Sequence, residues 1–177
     1  MNGRVGDGML DGARLGDRVA FEALIGPLIE PAYHVAFAVL RDRQEAEDAV
    51  QEAALVAWRK IRELRDRSAA RSWFFKIVLN RARMHHRRRW RSVIKLPDIR
   101  MPARWSEEQA AARQDLRKAL RRLAQNDQLL LFLHYGLDLP LEEAARILGM
   151  SPAGAKTRLY RVLKRLRPAL LQEGERK

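Results

Sequence analysis

The stretch from Leu141 to Leu159, LEEAARILGMSPAGAKTRL, places Ala145, then Gly149 four residues later, then Ala155 six after that. A small residue lets a second helix approach the first, glycine supplies the positive φ of a tight turn, and the later apolar residue plugs the second helix into the core. Ser151-Pro152 reads as a helix start, with serine as N-cap and proline at the first helical position. Ala155, Leu159, Val162 and Leu166 then form a buried seam. Gly154, Arg158, Arg161 and Arg165 repeat that spacing one position earlier, about 100° around the helix. A plain helical hairpin would also carry the Ala-Gly-Ala triplet, but the cap, the turn and the basic flank together favour DNA binding. The N-terminal residues of the second helix would then face base edges in a major groove.

A second basic pattern lies upstream. Lys76, Asn80, Arg83 and Arg87 fall at spacings of 4, 3 and 4, one stripe of a helix, with Phe74, Phe75, Val78 and Ala82 centred on the opposite side. Arg81, Arg88, Arg89 and Arg91 add charge near the C-terminal end, where cations meet the favourable end of the helix dipole. Trp73 and Trp90 supply aromatic surface among these bases, the combination that holds single strands by backbone charge and base stacking. Phe74 and Phe75 read as core. His85 and His86 sit about 100° apart on a helix and cannot both face one metal, so they extend the basic face instead of forming a ligand pair. Further upstream, Asp42, Glu45, Glu47, Asp48 and Glu52 make an acidic start to an Ala-rich helix. The helix dipole alone accounts for acids there, yet exposed Asp48, Gln51 and Glu52 equally suit docking on a basic protein surface.

The whole chain has 177 residues and a formal charge of +13. Residues 67–97 carry ten Lys or Arg and no acid, and residues 144–172 carry seven and no acid, so everything else nets −4. Solvated helix faces normally alternate sign for i,i+4 support, and long acid-free runs forgo it. Two polyanion contact patches follow. With no Cys there are no disulfides, thiolate zinc sites or cysteine nucleophiles, and four His (34, 85, 86 and 134) offer little for a metal centre. No catalytic residue, metal site or cofactor is expected. No apolar run approaches the roughly 20 residues of a membrane span, and the N-terminus lacks a signal-peptide pattern, so a cytoplasmic protein without membrane insertion is expected.

These patches must be positioned by helices, because strand-type alternation is nearly absent. The fold class read from the sequence is all-α. A Gly-rich start reads as frayed. Asp17 to Gly26 follows as a short helix with Phe21, Leu24 and Ile25 inward, then a helix opened by Pro31 and running to Leu40. Asp42 with Glu45 forms a capping box for a helix carrying Ala46, Ala49, Val50, Ala53, Ala57 and Ile61 at helical spacing. Ser68 caps a helix to about Arg89. Periodicity fails from Ser92 to Trp105, where Pro97 and Pro102 mark a linker. Ser106 restarts helix, Asn126 caps a helix through Leu129 to Tyr135 closed by Gly136, and two helices follow, Pro140 to Leu148 and Pro152 to Arg167. The expected organisation is a four-helix domain over 1–91, a linker over 92–105 and a four-helix domain over 106–177.

Three of these segments resemble the extracytoplasmic-function sigma factors of bacterial RNA polymerase: AEDAVQEAALVAWRKI (Ala46 to Ile61), SWFFKIVLNRARMHHRRR (Ser72 to Arg89) and LEEAARILGMSPAGAKTRLYRVLKRLR (Leu141 to Arg167). The resemblance implies a region 2 that binds the polymerase clamp and opens the promoter at its minus-ten element, and a region 4 that reads the minus-thirty-five element. By position, Asp48, Gln51 and Glu52 resemble the clamp contacts. Asn80, with Lys76, Arg81, Arg83, Arg87 and Arg88 around it, resembles the minus-ten reader. Lys156, Thr157, Arg158 and Arg161, with Ser151 and Gly154 at the head of the helix, resemble the recognition helix. The implied partners are core RNA polymerase, promoter DNA both as duplex and as melted non-template strand, and an anti-sigma factor. Departures from the family pattern fall at Met84 (usually Asp), Leu123-Ala124 (Leu-Pro), Gln128 (Arg) and Ala153-Gly154-Ala155 (Gly-Thr-Val). The rival readings are a helix-turn-helix regulator working without polymerase and a helical nuclease. The latter needs a carboxylate cluster that both basic windows lack.

Overall fold

Helix is the only regular structure among the residues that the computed structural model describes, 3–89 and 118–174. The chain divides into two compact units, Met1–Pro97 and Asp98–Lys177. The expected linker, the helix start at Ser106 and Trp90 lie outside the described residues.

The first unit is built on three mutually packed helices, α3 (Ile29–Leu40), α4 (Arg43–Lys60) and α5 (Ala70–Arg89). Their close approach follows from the Ala seam of α4. Ala46, Ala49, Ala53 and Ala57 are fully buried, as are Val35 and Ala36 of α3 and Phe74, Phe75, Val78, Leu79 and Ala82 of α5. Burying each phenylalanine contributes about 1.5 to 3 kcal/mol, and large side chains from two helices fill the space that the alanines leave. Asp42 caps α4 by accepting the Glu45 amide at 3.1 Å. Asp17 likewise caps α2 (Arg18–Ile25), accepting from Val19 and Ala20, and turns Phe21, Leu24 and Ile25 inward.

Three local expectations need correction in this unit. The Gly-rich start is not frayed throughout: it forms α1 (Gly3–Arg14), with Leu10 and Ala13 buried. Its stability is tertiary, since the Arg14 guanidinium donates to the Leu64 carbonyl and Arg62 Nε donates back to the Arg14 carbonyl at 3.3 Å. Ser68 is not the cap before α5. Asp66 caps the 3₁₀ turn Arg67–Ala69 that leads into α5, accepting the Ser68 amide at 2.8 Å and the Ser68 hydroxyl, because a carboxylate closes such a turn more strongly than a hydroxyl can. The α2–α3 stretch Arg18–Leu40, with a mean hydropathy of 1.5, is by length and composition long and apolar enough to cross a membrane. In the fold a 3₁₀ turn at Gly26–Leu28 interrupts it, and Phe21, Leu24, Ile25, Val35, Val39 and Leu40 are buried within the unit, while Val19 is exposed. Proline at the second position of that turn removes the amide a continuous helix would use.

The second unit contains α6 (Gln125–Leu131), a π-helical turn (Phe132–Gly136), α7 (Leu141–Leu148) and α8 (Pro152–Gly174), preceded by helical residues 118–121. Asn126 does not cap α6. The helix opens earlier, with Ala124 at the cap position and Asn126 inside the first turn. The π-helical turn ends where the Leu137 amide donates to Phe132 and the Leu139 amide to Leu133. α8 passes the expected end at Arg167 and carries Pro168 inside it. Leu123, Val162 and Leu166 form a buried cluster with Ala119, Leu120 and Leu131 against it, tying the long helix to the start of the unit.

Candidate nucleic-acid interface

In the second unit the turn between α7 and α8 has the geometry its residues demand. Gly149 ends α7 in the left-handed region at φ 71°, which only glycine adopts without strain. The Ser151 hydroxyl accepts the Gly154 amide at 3.1 Å, and Pro152 opens α8. Gly154 therefore sits in the first turn of α8 and not in its interior. A Cβ there would come within 3.0 Å of the Ser151 hydroxyl, so the glycine leaves room for the cap. Ala145 and Ala155 are fully buried across the turn, Val162 and Leu166 continue the seam, and Leu159 is only half-buried.

On the outer side Ser151, Ala153, Gly154, Lys156, Thr157 and Arg161 are exposed. Thr157 donates its hydroxyl to the Ala153 carbonyl at 3.0 Å, which leaves its oxygen as an acceptor. Arg158 departs from the expected exposed flank. It is half-buried, and its Nε donates to the carboxylate of Asp127, which is itself 7% exposed in the first turn of α6. The spacing placed Arg158 at the edge of the seam, and a buried carboxylate on a neighbouring helix drew it inward.

In the first unit Lys76, Asn80 and Arg87 of α5 are exposed along one stripe, while Arg83 within it is half-buried. Burial and the charge of Arg87 lower the Arg83 pKa, yet an arginine stays cationic under such a shift. The aromatic part of the single-strand signature is thinner than expected among the described residues: Trp73 is half-buried and Phe74 and Phe75 are core. The side chain of Arg88 lies outside the described residues.

The α4 residues separate into two groups. Gln51 is exposed and Asp48 accepts from Gln44 at 3.3 Å, both on the outer face. Glu52 turns toward α5. Its carboxylate lies 3.8 Å from Arg81 and 3.2 Å from His85 Nε2, the latter at ion-pair distance without hydrogen-bond alignment. Sequence reasoning missed two neighbours of Gln51. Leu55 is 59% exposed and Trp58 36%, and both fall on the Asp48–Gln51 stripe, with Trp58 edge-on to Phe21 at 5.0 Å. Their signal was available, since Leu55 is a large apolar residue off the Ala seam.

Known proteins carry the same two-part arrangement. The family models for Sigma-70 region 2 and Sigma-70, region 4 match residues 24–92 and 113–166. The RNA polymerase sigma factor SigV of Bacillus subtilis is 32% identical over 143 residues, covering 80% of this chain and 85% of that one. Among solved structures, the sigma factor RpoE in complex with the anti-sigma factor NepR, from Bartonella quintana, superposes with a TM-score of 0.67 at 25% identity over 85% of this chain and 96% of that one. CnrH in complex with the cytosolic domain of CnrY gives a TM-score of 0.66 at 23% identity over 92% and 94%, a likeness of fold. With both region models matched in order and a relative this similar over most of its length, the chain belongs to the sigma-70 family of RNA polymerase sigma factors, in its extracytoplasmic-function group.

Proposed function

We propose that this sigma factor divides promoter recognition between its units, over 1–91 and 106–177, and docks on core polymerase through the outer face of α4. Asp48 and Gln51, with Leu55 and Trp58 beside them, form the docking stripe, and Glu52 stands at its edge. Asn80 takes an unpaired base of the non-template strand, because its amide offers both a donor and an acceptor to a base edge. Lys76 and Arg87 hold the strand's phosphates, with Arg81 and Arg83 behind them and the charge of Arg88 added. Ser151, Gly154, Lys156, Thr157 and Arg161 meet the duplex at the head of α8. The observation that carries this reading is the pairing of an exposed Lys76–Asn80–Arg87 stripe backed by the apolar core of Phe74, Phe75, Val78 and Ala82 with a capped helix-turn-helix on the other unit.

The protein acts by binding, with no catalytic step of its own, and works in the cytoplasm. The similar sigma factor RpoE is solved in complex with the anti-sigma factor NepR, and an anti-sigma factor controls this chain in the same way. Run-off transcription with purified core polymerase on closed and pre-opened promoter fragments tests the division. Asn80→Ala should impair strand opening while duplex binding persists. Arg161→Ala should weaken duplex binding, by about 1 to 3 kcal/mol for a bidentate base contact and less for a phosphate contact, and leave the pre-opened template usable. Normal melting by Asn80→Ala would remove the base-trapping role.

A further inference from the structure

Among the described residues, the carboxylate that lines the basic flank of α8 comes from a different helix. Asp127, on α6, borders a cleft of about 270 Å³ whose other walls are Arg158, Arg161, Arg165 and Val162. The three arginines are spaced i, i+3 and i+7, so they share a side of α8, and Arg161 and Arg165 are exposed. Guanidinium forks on one side of a helix match phosphate oxygens in charge and geometry. The carboxylate opposes this. It takes the Nε of Arg158 as a donor and sets a negative charge on the wall of the cleft. Two features fix this arrangement. Asp127 is nearly buried, so water cannot easily replace its partner, and Arg158 has a third of its side chain exposed, so it could reach a phosphate if released.

We propose that the cleft seats one backbone phosphate of the duplex through Arg161 and Arg165, and that Asp127 is an internal competitor that withholds Arg158 from the same phosphate path. The inference rests on the reading of α8 as the duplex-binding helix. Its consequence is a duplex affinity set below what three arginines would give, by a residue that offers DNA no favourable contact.

The test measures binding of the full-length chain to a duplex promoter fragment across a salt series. Each phosphate neutralised adds about 0.9 to the slope of log affinity against log salt. Asp127→Asn keeps the side-chain shape and removes the charge, so its slope should steepen by about 0.9, an extra loss of about 3.5-fold between 50 and 200 mM salt. The double variant Asp127→Asn, Arg158→Gln removes both charges together and leaves two amides that can hydrogen-bond each other. Its slope should match that of the unsubstituted chain, because Arg158 is not counted there. An unchanged slope for Asp127→Asn, or a double variant shallower by about 0.9, overturns the competition. Arg161→Ala and Arg165→Ala separate the two readings: if neither alters duplex binding, α8 is not the duplex helix, whereas weakened binding with an unchanged Asp127→Asn slope defeats only the competitor.

Discussion

Each unit has a carboxylate on one helix reaching a cation on the helix proposed to meet nucleic acid, but the two pairs differ in burial. Glu52 and Arg81 keep 44% and 30% of their side chains exposed and stand 3.8 Å apart. Asp127 and Arg158 keep 10% and 34%, with the guanidinium Nε hydrogen-bonded to the carboxylate. Exposed pairs contribute about 0 to 1 kcal/mol, because water solvates either partner when the other leaves. A buried carboxylate has no such substitute, and its desolvation is offset only while the partner stays. Glu52 can therefore exchange Arg81 and His85 for a basic surface on another protein with little loss. Asp127 cannot release Arg158 so easily.

The most severe test of that contrast is Arg158→Ala. It strands the Asp127 carboxylate, and urea unfolding should show the second unit destabilised by about 3 kcal/mol, the low end for a buried pair because Arg158 is partly exposed. A loss under about 1 kcal/mol would make the two pairs equivalent. Glu52→Gln should change the stability of the first unit by less than about 1 kcal/mol. Its larger effect should appear in titration against core polymerase, where a lost charge at the edge of the docking stripe weakens binding. If unfolding shifts more than polymerase affinity does, Glu52 is a structural residue like Asp127.

The smallest effect belongs to Asp66, whose carboxylate is fully exposed. Hydrogen bonds from the Ser68 hydroxyl, then from the Ser68 amide, hold its pKa below the usual aspartate range. A pKa depressed in the fold stabilises the turn above the unfolded value and is lost as pH falls through the folded one. The turn before α5 should therefore stay closed at neutral pH and open only under acid conditions below the ordinary carboxylate range. The NMR shift of the Ser68 amide followed against pH reads this directly, and a transition near neutrality would contradict it.

Much of the molecule was legible in the residues taken in order. The Ala seam of α4, the caps at Asp42 and Ser151, the glycine turn at Gly149 and the buried faces of α5 and α8 all follow from spacing and from the chemistry of neighbours within a turn of each other. These are local rules, and a sequence states local relations explicitly. Where it fell short, the deciding partner was distant. α1 is held by Arg14 and Leu64, fifty positions apart, so its glycines alone suggested fraying. Arg158 is drawn to Asp127, thirty-one positions away, and Glu52 to α5, although helical spacing had marked them as outward-facing. Periodicity fixes the direction in which a side chain leaves its helix. Only the packing of helices decides whether water, a buried charge or a partner waits there.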